Sequence, residues 1–427
     1  MPTPAPAPAD LTGARALPPV EGHRGLTRGL LLVLALLFAI APFATDLYLA
    51  AFPQMTGDLG TDETGVQLTL TAFLVGTAAG QLVFGPLSDR FGRVRPLVAG
   101  AVLCVLASAL AVLAPTVGVL VAARVAQGLG GAAGMVIGRA VVADLVTGAA
   151  AARALSLLMI VGGLAPVVAP LAGSLLVGPV GWRGVLAVVL ALAVLMLVAV
   201  LAVVRESHPP SRRAAARELR AASGSTARDL RSRTYVGNTL AFAFGFAVMM
   251  AYISASPFLY QDLMGLSEVQ YGLVFGVNAL LLAVVSGASA RLAGRLPVQR
   301  LLATGLGASL LASAALLLLV LLDVPAGWFT LPIAAAIAAL GLVMGNGTAL
   351  ALAAVPRAAG SASALLGALQ FALAALVSPL VSLGGATSPL NLAVVMVVSA
   401  AVALGGWALG NAGRRPGAGV PAQRRHG

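Results

Sequence analysis

Lysine is missing from this 427-residue chain, so all 26 basic residues are arginine. Charge is scarce: 9% of residues are charged, 59% are hydrophobic, and the mean hydropathy is +1.00. Soluble domains of this length do not have that composition. Repeated runs of about twenty apolar residues mark an integral polytopic membrane protein. Cys104 is the single cysteine, which excludes an internal disulfide and a cysteine metal site. The histidines, His23, His208 and His426, fall in tails or loops, which excludes a histidine proton relay within the membrane. The chain has no nucleotide-binding glycine loop, no metal-ligand cluster and no Ser/His/Asp or Cys/His set. These absences argue against a membrane enzyme, an ATP-driven pump and a bound cofactor, and leave transport as the expected activity.

The net charge of +12 does not point to nucleic acid, because the arginines sit in short loops between apolar runs rather than on one basic face. Their exclusive use, with abundant Ala, Gly, Val and Leu, reads as codon bias of a GC-rich bacterial genome. The Pro/Ala-rich segment 1–28 is expected to be a disordered tail and not a signal peptide, since the apolar run after it is too long.

Apolar runs predict twelve membrane helices, near 29–52, 66–86, 96–114, 117–140, 154–177 and 184–204, then 235–259, 270–290, 300–322, 328–354, 361–383 and 389–411. Loop charges support the count. Arg90, Arg93, Arg95, Arg153, the eight arginines of 205–233, Arg291, Arg295, Arg300, Arg357 and the C-terminal arginines all fall on one side. The alternate loops hold Asp58, Asp62, Glu63, Asp262, Glu268 and Asp323, with Arg183 their one basic residue. The positive-inside rule then places both termini in the cytoplasm of a multi-pass protein of the bacterial inner membrane. The basic linker 205–234 divides the chain into halves 29–204 and 235–411, and 412–427 forms a cytoplasmic tail. The halves resemble each other: Gly85, Gly92 and Arg93 align with Gly287, Gly294 and Arg295, while Asp89 faces Arg291. Parallel six-helix repeats are a transporter plan with the site between the halves.

The loop "GPLSDRFGRVRP" (85–96) resembles the Gly-x-Leu-x-Asp-Arg-x-Gly-Arg signature of the major facilitator superfamily. Helix 4 carries "RVAQG" (124–128), similar to that superfamily's Arg-x-x-Gln-Gly motif in proton-coupled members. Helix 5 carries "GGLAPVVAPLAGS" (162–174), with Gly163, Pro166, Pro170 and Gly173, which resembles the antiporter signature in its bicyclomycin-resistance (Bcr/CflA) form. "TDLYLAAFP" (45–53) and "GWR" (181–183) are similar to the same group, although Ala50 replaces a proline. The resemblance implies a twelve-helix, all-α major facilitator fold. It also implies a gating loop of Gly85, Asp89, Arg90, Gly92 and Arg93, in which Asp89 faces the start of helix 11 near Gly360–Ser363. Arg93 would pair with Asp144, near Arg139, to lock the cytoplasmic side when the transporter opens outward; a role in setting orientation alone is the alternative.

Asp46 is the one carboxylate well inside a predicted helix. It lies seven residues, roughly 10 Å, from Pro53, and Arg124 lies at a similar depth on helix 4. An Asp46–Arg124 ion pair, direct or through water, would ease the cost of both charges, either as a staple or as the proton-coupling site. An arginine beside the carboxyl favours its ionised form and burial its neutral form, so proton and substrate would compete there. Tyr48, Gln127, Tyr252, Asn278, Asn346 and Gln370 are candidates to line the substrate cavity, and interhelical hydrogen bonds are the other use of such residues.

The expected function is a monomeric, proton-driven exporter of uncharged or amphipathic antimicrobials of the chloramphenicol, bicyclomycin or sulfonamide kind. The proton gradient would supply its energy, and its partners would be drug, protons and lipid. A proton-coupled carrier of a metabolite such as an amino acid or sugar is the alternative.

Overall fold

A computed structural model describes residues 26–146, 148–211, 213–214, 230–293, 295–355, 359–382 and 388–412. The N-terminal tail, most of the linker and of the C-terminal tail, Gly294, and some side chains at 148–167 and 359–361 (Gly163 and Ser361 among them) lie outside that description. All regular structure in the described residues is helical.

Polar residues placed at the ends of apolar runs start the helices. Thr27 accepts from the Leu30 amide, Asp62 from Gly65, Thr116 from Val119 and Ser232 from Tyr235, while Ser267 and Gln270 form a reciprocal capping box. The first traverses are α1 (Arg28–Leu59), α2 (Glu63–Phe91), α3 (Val94–Val112) and α4 (Val117–Leu145). One continuous run, Gly148–Val203, follows. Its 56 residues make roughly 84 Å of helix, more than twice the ~30 Å hydrocarbon core, so it crosses the bilayer twice.

The reversal is at Gly181, with φ 67° and ψ 175°, a backbone conformation that only glycine adopts cheaply. It separates α5 (148–180) from α6 (182–203). Trp182 donates to Gln54 Oε1 (3.1 Å) and Asp58 Oδ2 (2.8 Å), and Arg183 donates to the Ala114 carbonyl (3.1 Å). The "GWR" stretch thus ties this turn to the end of α1 and the α3–α4 turn. Pro166 and Pro170 lie within the helical run, and its non-helical residue is Gly181.

The second half consists of α7 (Arg233–Leu263, π-helical over Phe258–Leu263), α8 (Glu268–Leu292), α9 (Val298–Leu321), α10 (Ala326–Ala353), α11 (Ala359–Ser382) and α12 (Pro389–Asn411). Eleven helical stretches among the described residues are long and apolar enough to cross a membrane, with Val168–Val203 counted once; Gly181 makes the twelve expected.

Hydrogen bonds between the halves among the described residues lie at the arginine-poor end. Gln67 Nε2 donates to the Ser254 carbonyl and Gln261 Nε2 to the Ala50 carbonyl, each at 3.2 Å. Phe52 and Phe258 pack beside them, ring centroids 5.9 Å apart. This end of the molecule is closed.

Candidate functional site

Helix α1 breaks where the sequence places its carboxylate. Pro42 removes a backbone donor, the α-helical run stops at Asp46, a 3-10 turn spans Leu49–Ala51, and helix resumes at Phe52 with Pro53 in its first turn. Opening the helix at Tyr48 leaves the Ala44 carbonyl to be satisfied from elsewhere. Arg124 on α4 supplies the donor: Nη2 reaches the Ala44 carbonyl at 2.8 Å.

The same guanidinium donates to the Thr69 carbonyl on α2 (3.4 Å) and to Gln127 Oε1, and lies between the rings of Tyr48 (4.5 Å) and Phe73 (4.6 Å). Gln127 donates onward to Ser108 on α3 (2.7 Å), and the Tyr48 hydroxyl meets Thr69 Oγ1 (3.0 Å). Arg124 is completely buried. Carbonyl dipoles and two π faces, rather than a carboxylate, stabilise its charge. It joins α1, α2, α3 and α4 at one level.

The direct Asp46–Arg124 ion pair is not formed. Both ion pairs among the described residues belong to Arg93. The shared depth is correct, since Arg124 touches Ala44 and Tyr48, two residues to either side of Asp46. Asp46 is rotated about 200° from Ala44, so its carboxyl stops short of a direct ion pair while staying within electrostatic range of Arg124. Its 4%-exposed side chain is within electrostatic range of Tyr271 on α8. The adjoining Leu47 carbonyl sits against Gly173 of α5, and Ser174 beside it packs on Gly272 of α8. Asp46 therefore lies by the seam between the halves.

Gly173 permits this approach, because a Cβ there would overlap the Leu47 carbonyl. Gly173→Leu is expected to displace the α1 break and abolish transport while the chain still inserts. Gly276→Leu, whose Cβ would meet nothing within 4 Å, serves as the control. Whole-cell efflux compared with membrane protein level checks this; equal efflux of the two variants would refute it.

Five of the six cavity candidates are committed to hydrogen bonds that join helices. Besides Tyr48 and Gln127, Asn278 on α8 donates to the Tyr252 hydroxyl on α7 (2.8 Å), and Asn346 on α10 donates to Ser289 on α8 (2.9 Å). An amide or phenol in an apolar span takes the nearest partner, which is another helix. Gln370 is the exception, half-buried with no hydrogen bond among the described residues.

At the arginine-rich end, Gly92 (φ 90°) turns the chain between α2 and α3. Arg93 then donates to Asp144 (Nε–Oδ2 2.8 Å), Asp89 (2.8 Å) and Ser88 (2.9 Å). The implied Arg93–Asp144 pair exists, but it lies within the first half and coexists with a closed arginine-poor end. It does not bridge the halves. Gly85 lies on the α4 side of α2, near Val136, and the Arg90 carbonyl accepts from Arg213. Arg139 does not reach Asp144; its Nε donates to Met135 of its own helix (3.1 Å).

Sequence reasoning missed Glu206. Helix α3 has no side-chain cap of its own, and Glu206, beyond the end of α6, accepts from the Arg93 (2.8 Å) and Val94 (3.2 Å) amides. Ser207 bonds Asp144 (3.0 Å). The uncapped start of α3 was the available signal. Burial, and then the Arg93 charge, hold the adjacent His208 imidazole below its ordinary value.

The Major Facilitator Superfamily model matches residues 34–379. The chain is 34% identical over 364 residues to the uncharacterized MFS-type transporter YdgK of Bacillus subtilis (strain 168), covering 83% of this chain and 89% of the relative. It is 28% identical over 352 residues to the bicyclomycin resistance protein homolog of Haemophilus influenzae, covering 82% and 88%. With the multidrug resistance protein MdtL of Shewanella oneidensis it shares 28% over 335 residues, covering 78% and 84%. Among solved structures, a D-xylose-proton symporter superposes with a TM-score of 0.71 at 17% identity, covering 88% of this chain and 96% of that one, which is a likeness of fold.

Proposed function

Because the chain belongs to the major facilitator superfamily, we propose that it is a proton-coupled multidrug exporter working by alternating access in the bacterial cytoplasmic membrane. Its substrates are small uncharged or amphipathic antimicrobials, and it acts as a monomer with both termini inside. The observation that carries this reading is Asp46: a carboxyl at a helix break, beside the seam between the halves, with no ion-pair partner among the described residues. An ionisable group so placed marks a proton or substrate path. The relatives named for bicyclomycin and multidrug resistance support export of drugs.

In this mechanism Asp46 takes a proton while the outer end is open and releases it to the cytoplasm as substrate binds. Arg124 shapes the α1 break that presents Asp46, and the halves rock about the seam. Closure outside uses Gln67–Ser254, Gln261–Ala50 and the Phe52–Phe258 contact.

The test is a drug-susceptibility panel in an efflux-deficient host, followed by efflux measurements with and without an uncoupler. Raised resistance and efflux that collapses with the proton gradient are expected. A chain that protects against no compound, or efflux indifferent to the gradient, refutes the proposal. Growth dependence on a single nutrient would favour a metabolite carrier instead.

A further inference from the structure

Arg139 lies six residues, roughly 9 Å, short of the arginine-rich end of α4, yet its charge is barely used. Its one hydrogen bond among the described residues goes to Met135 of its own helix, and no carboxylate there lies within 4 Å. The other two arginines near it in the fold differ: Arg124 spreads its donors over three helices, and Arg93 holds two carboxylates. A half-buried arginine in a membrane span is costly unless hydrated or paired.

The face of α4 shows where Arg139 points. Gly134 and Gly138 turn to Leu37, Leu34 and Phe38 of α1; Gly128 turns to Phe73 of α2; and Gly130 turns to Gly100 and Cys104 of α3. Residues 131 and 135 lie between the α1 and α2 flanks, and Arg139, one turn further on, lies at the α2 edge of that sector. A Cβ on Gly131 would meet nothing within 4 Å, and Met135 and Arg139 are half-buried. The helices packed chiefly on α4 are α2, α3 and α1 of its own half. The guanidinium lies 5.8 Å from the Phe38 ring, eight residues and roughly 12 Å along α1 from Asp46.

We propose that Arg139 is an anion-recognising residue of the substrate path, which makes amphipathic acids, an apolar or aromatic body bearing a carboxylate, a preferred substrate class. The carboxylate pairs with the guanidinium, and the body lies on Phe38 and Met135 toward the α1 break. Met135 gives an adaptable surface for bodies of different shape. An anion leaving a cytoplasm at negative potential also moves down the electrical gradient. The proposal rests on the exporter reading and sharpens its substrate.

Equilibrium dialysis on the purified full-length protein at pH 7.5 tests it. The probes are 1-naphthoate, 4-phenylbenzoate and cinnamate, each against its uncharged primary amide. Wild type is expected to bind the acids about tenfold tighter than the amides. Arg139→Gln should bring that ratio close to one, and Arg139→Lys should keep most of it. The ratio is read within each variant, so a change in active fraction cancels. Absence of acid preference in wild type, or a preference that survives Arg139→Gln, overturns the proposal. The exporter reading is tested separately, by gradient-driven efflux of uncharged compounds.

Discussion

Arg124→Met lowers the stability of the N-terminal half by about 2–4 kcal/mol, seen as an earlier thermal unfolding midpoint in detergent and a reduced membrane yield. Two effects oppose each other. Removing a buried guanidinium relieves the cost of holding a charge in a dry interior. It also strands the Ala44 carbonyl of α1 and Gln127 Oε1 of its own helix, both of which accept from the arginine. Each buried acceptor left without a partner costs about 1–3 kcal/mol. The two acceptors outweigh the relief because carbonyls and aromatic rings already compensate the charge. Arg124→Lys does not rescue the loss: an ammonium lacks the planar fork that reaches α1, α2 and Gln127 while lying between two rings. A Met variant that unfolds at the wild-type temperature would remove Arg124 as the strut of the α1 break.

Asp46→Asn abolishes proton-driven transport without unfolding the protein. Asparagine keeps the size and polarity of the side chain, so the approach of Leu47 to Gly173 and the bond from Arg124 to the Ala44 carbonyl persist. What is lost is a group that can bind and release a proton. In vesicles with an imposed pH gradient, uphill drug movement falls to the level of protein-free vesicles, while downhill exchange in the absence of a gradient remains. Undiminished gradient-driven transport in the variant would rule out Asp46 as the coupling group. Because Asp46 and Arg124 form no direct ion pair, Asp46→Asn changes coupling and Arg124→Met changes stability. An ion pair would have mixed the two outcomes.

Much of this architecture was legible in the sequence. Apolar runs located the traverses because a bilayer demands about twenty apolar residues per helix. Alternating loop arginines tested their number. The α5–α6 reversal rests on Gly181 inside a motif the sequence had marked, and the Arg93–Asp144 pair followed from resemblance. The misses share one cause. A residue count along two helices fixes how deep a side chain lies but not which way it points. Asp46 and Arg124 were matched by depth, and rotation leaves them without a direct ion pair. Glu206 caps α3 from 113 residues away, a contact no local pattern encodes. Tyr252 and Asn278, candidates either to line a cavity or to bond between helices, lie 26 residues apart and bond to each other across a helix pair.

The sequence by itself determined the membrane fold, its two halves, the alternation of charge from loop to loop, and the one carboxylate well inside a predicted span, because hydrophobicity, loop charge and composition act locally along the chain. Only the tertiary structure decided that Arg124 holds backbone carbonyls rather than that carboxylate, and that Arg139 bonds Met135 beside Phe38 instead of a carboxylate. Those outcomes depend on helix rotation, which is set by glycine-mediated packing between segments far apart in the chain.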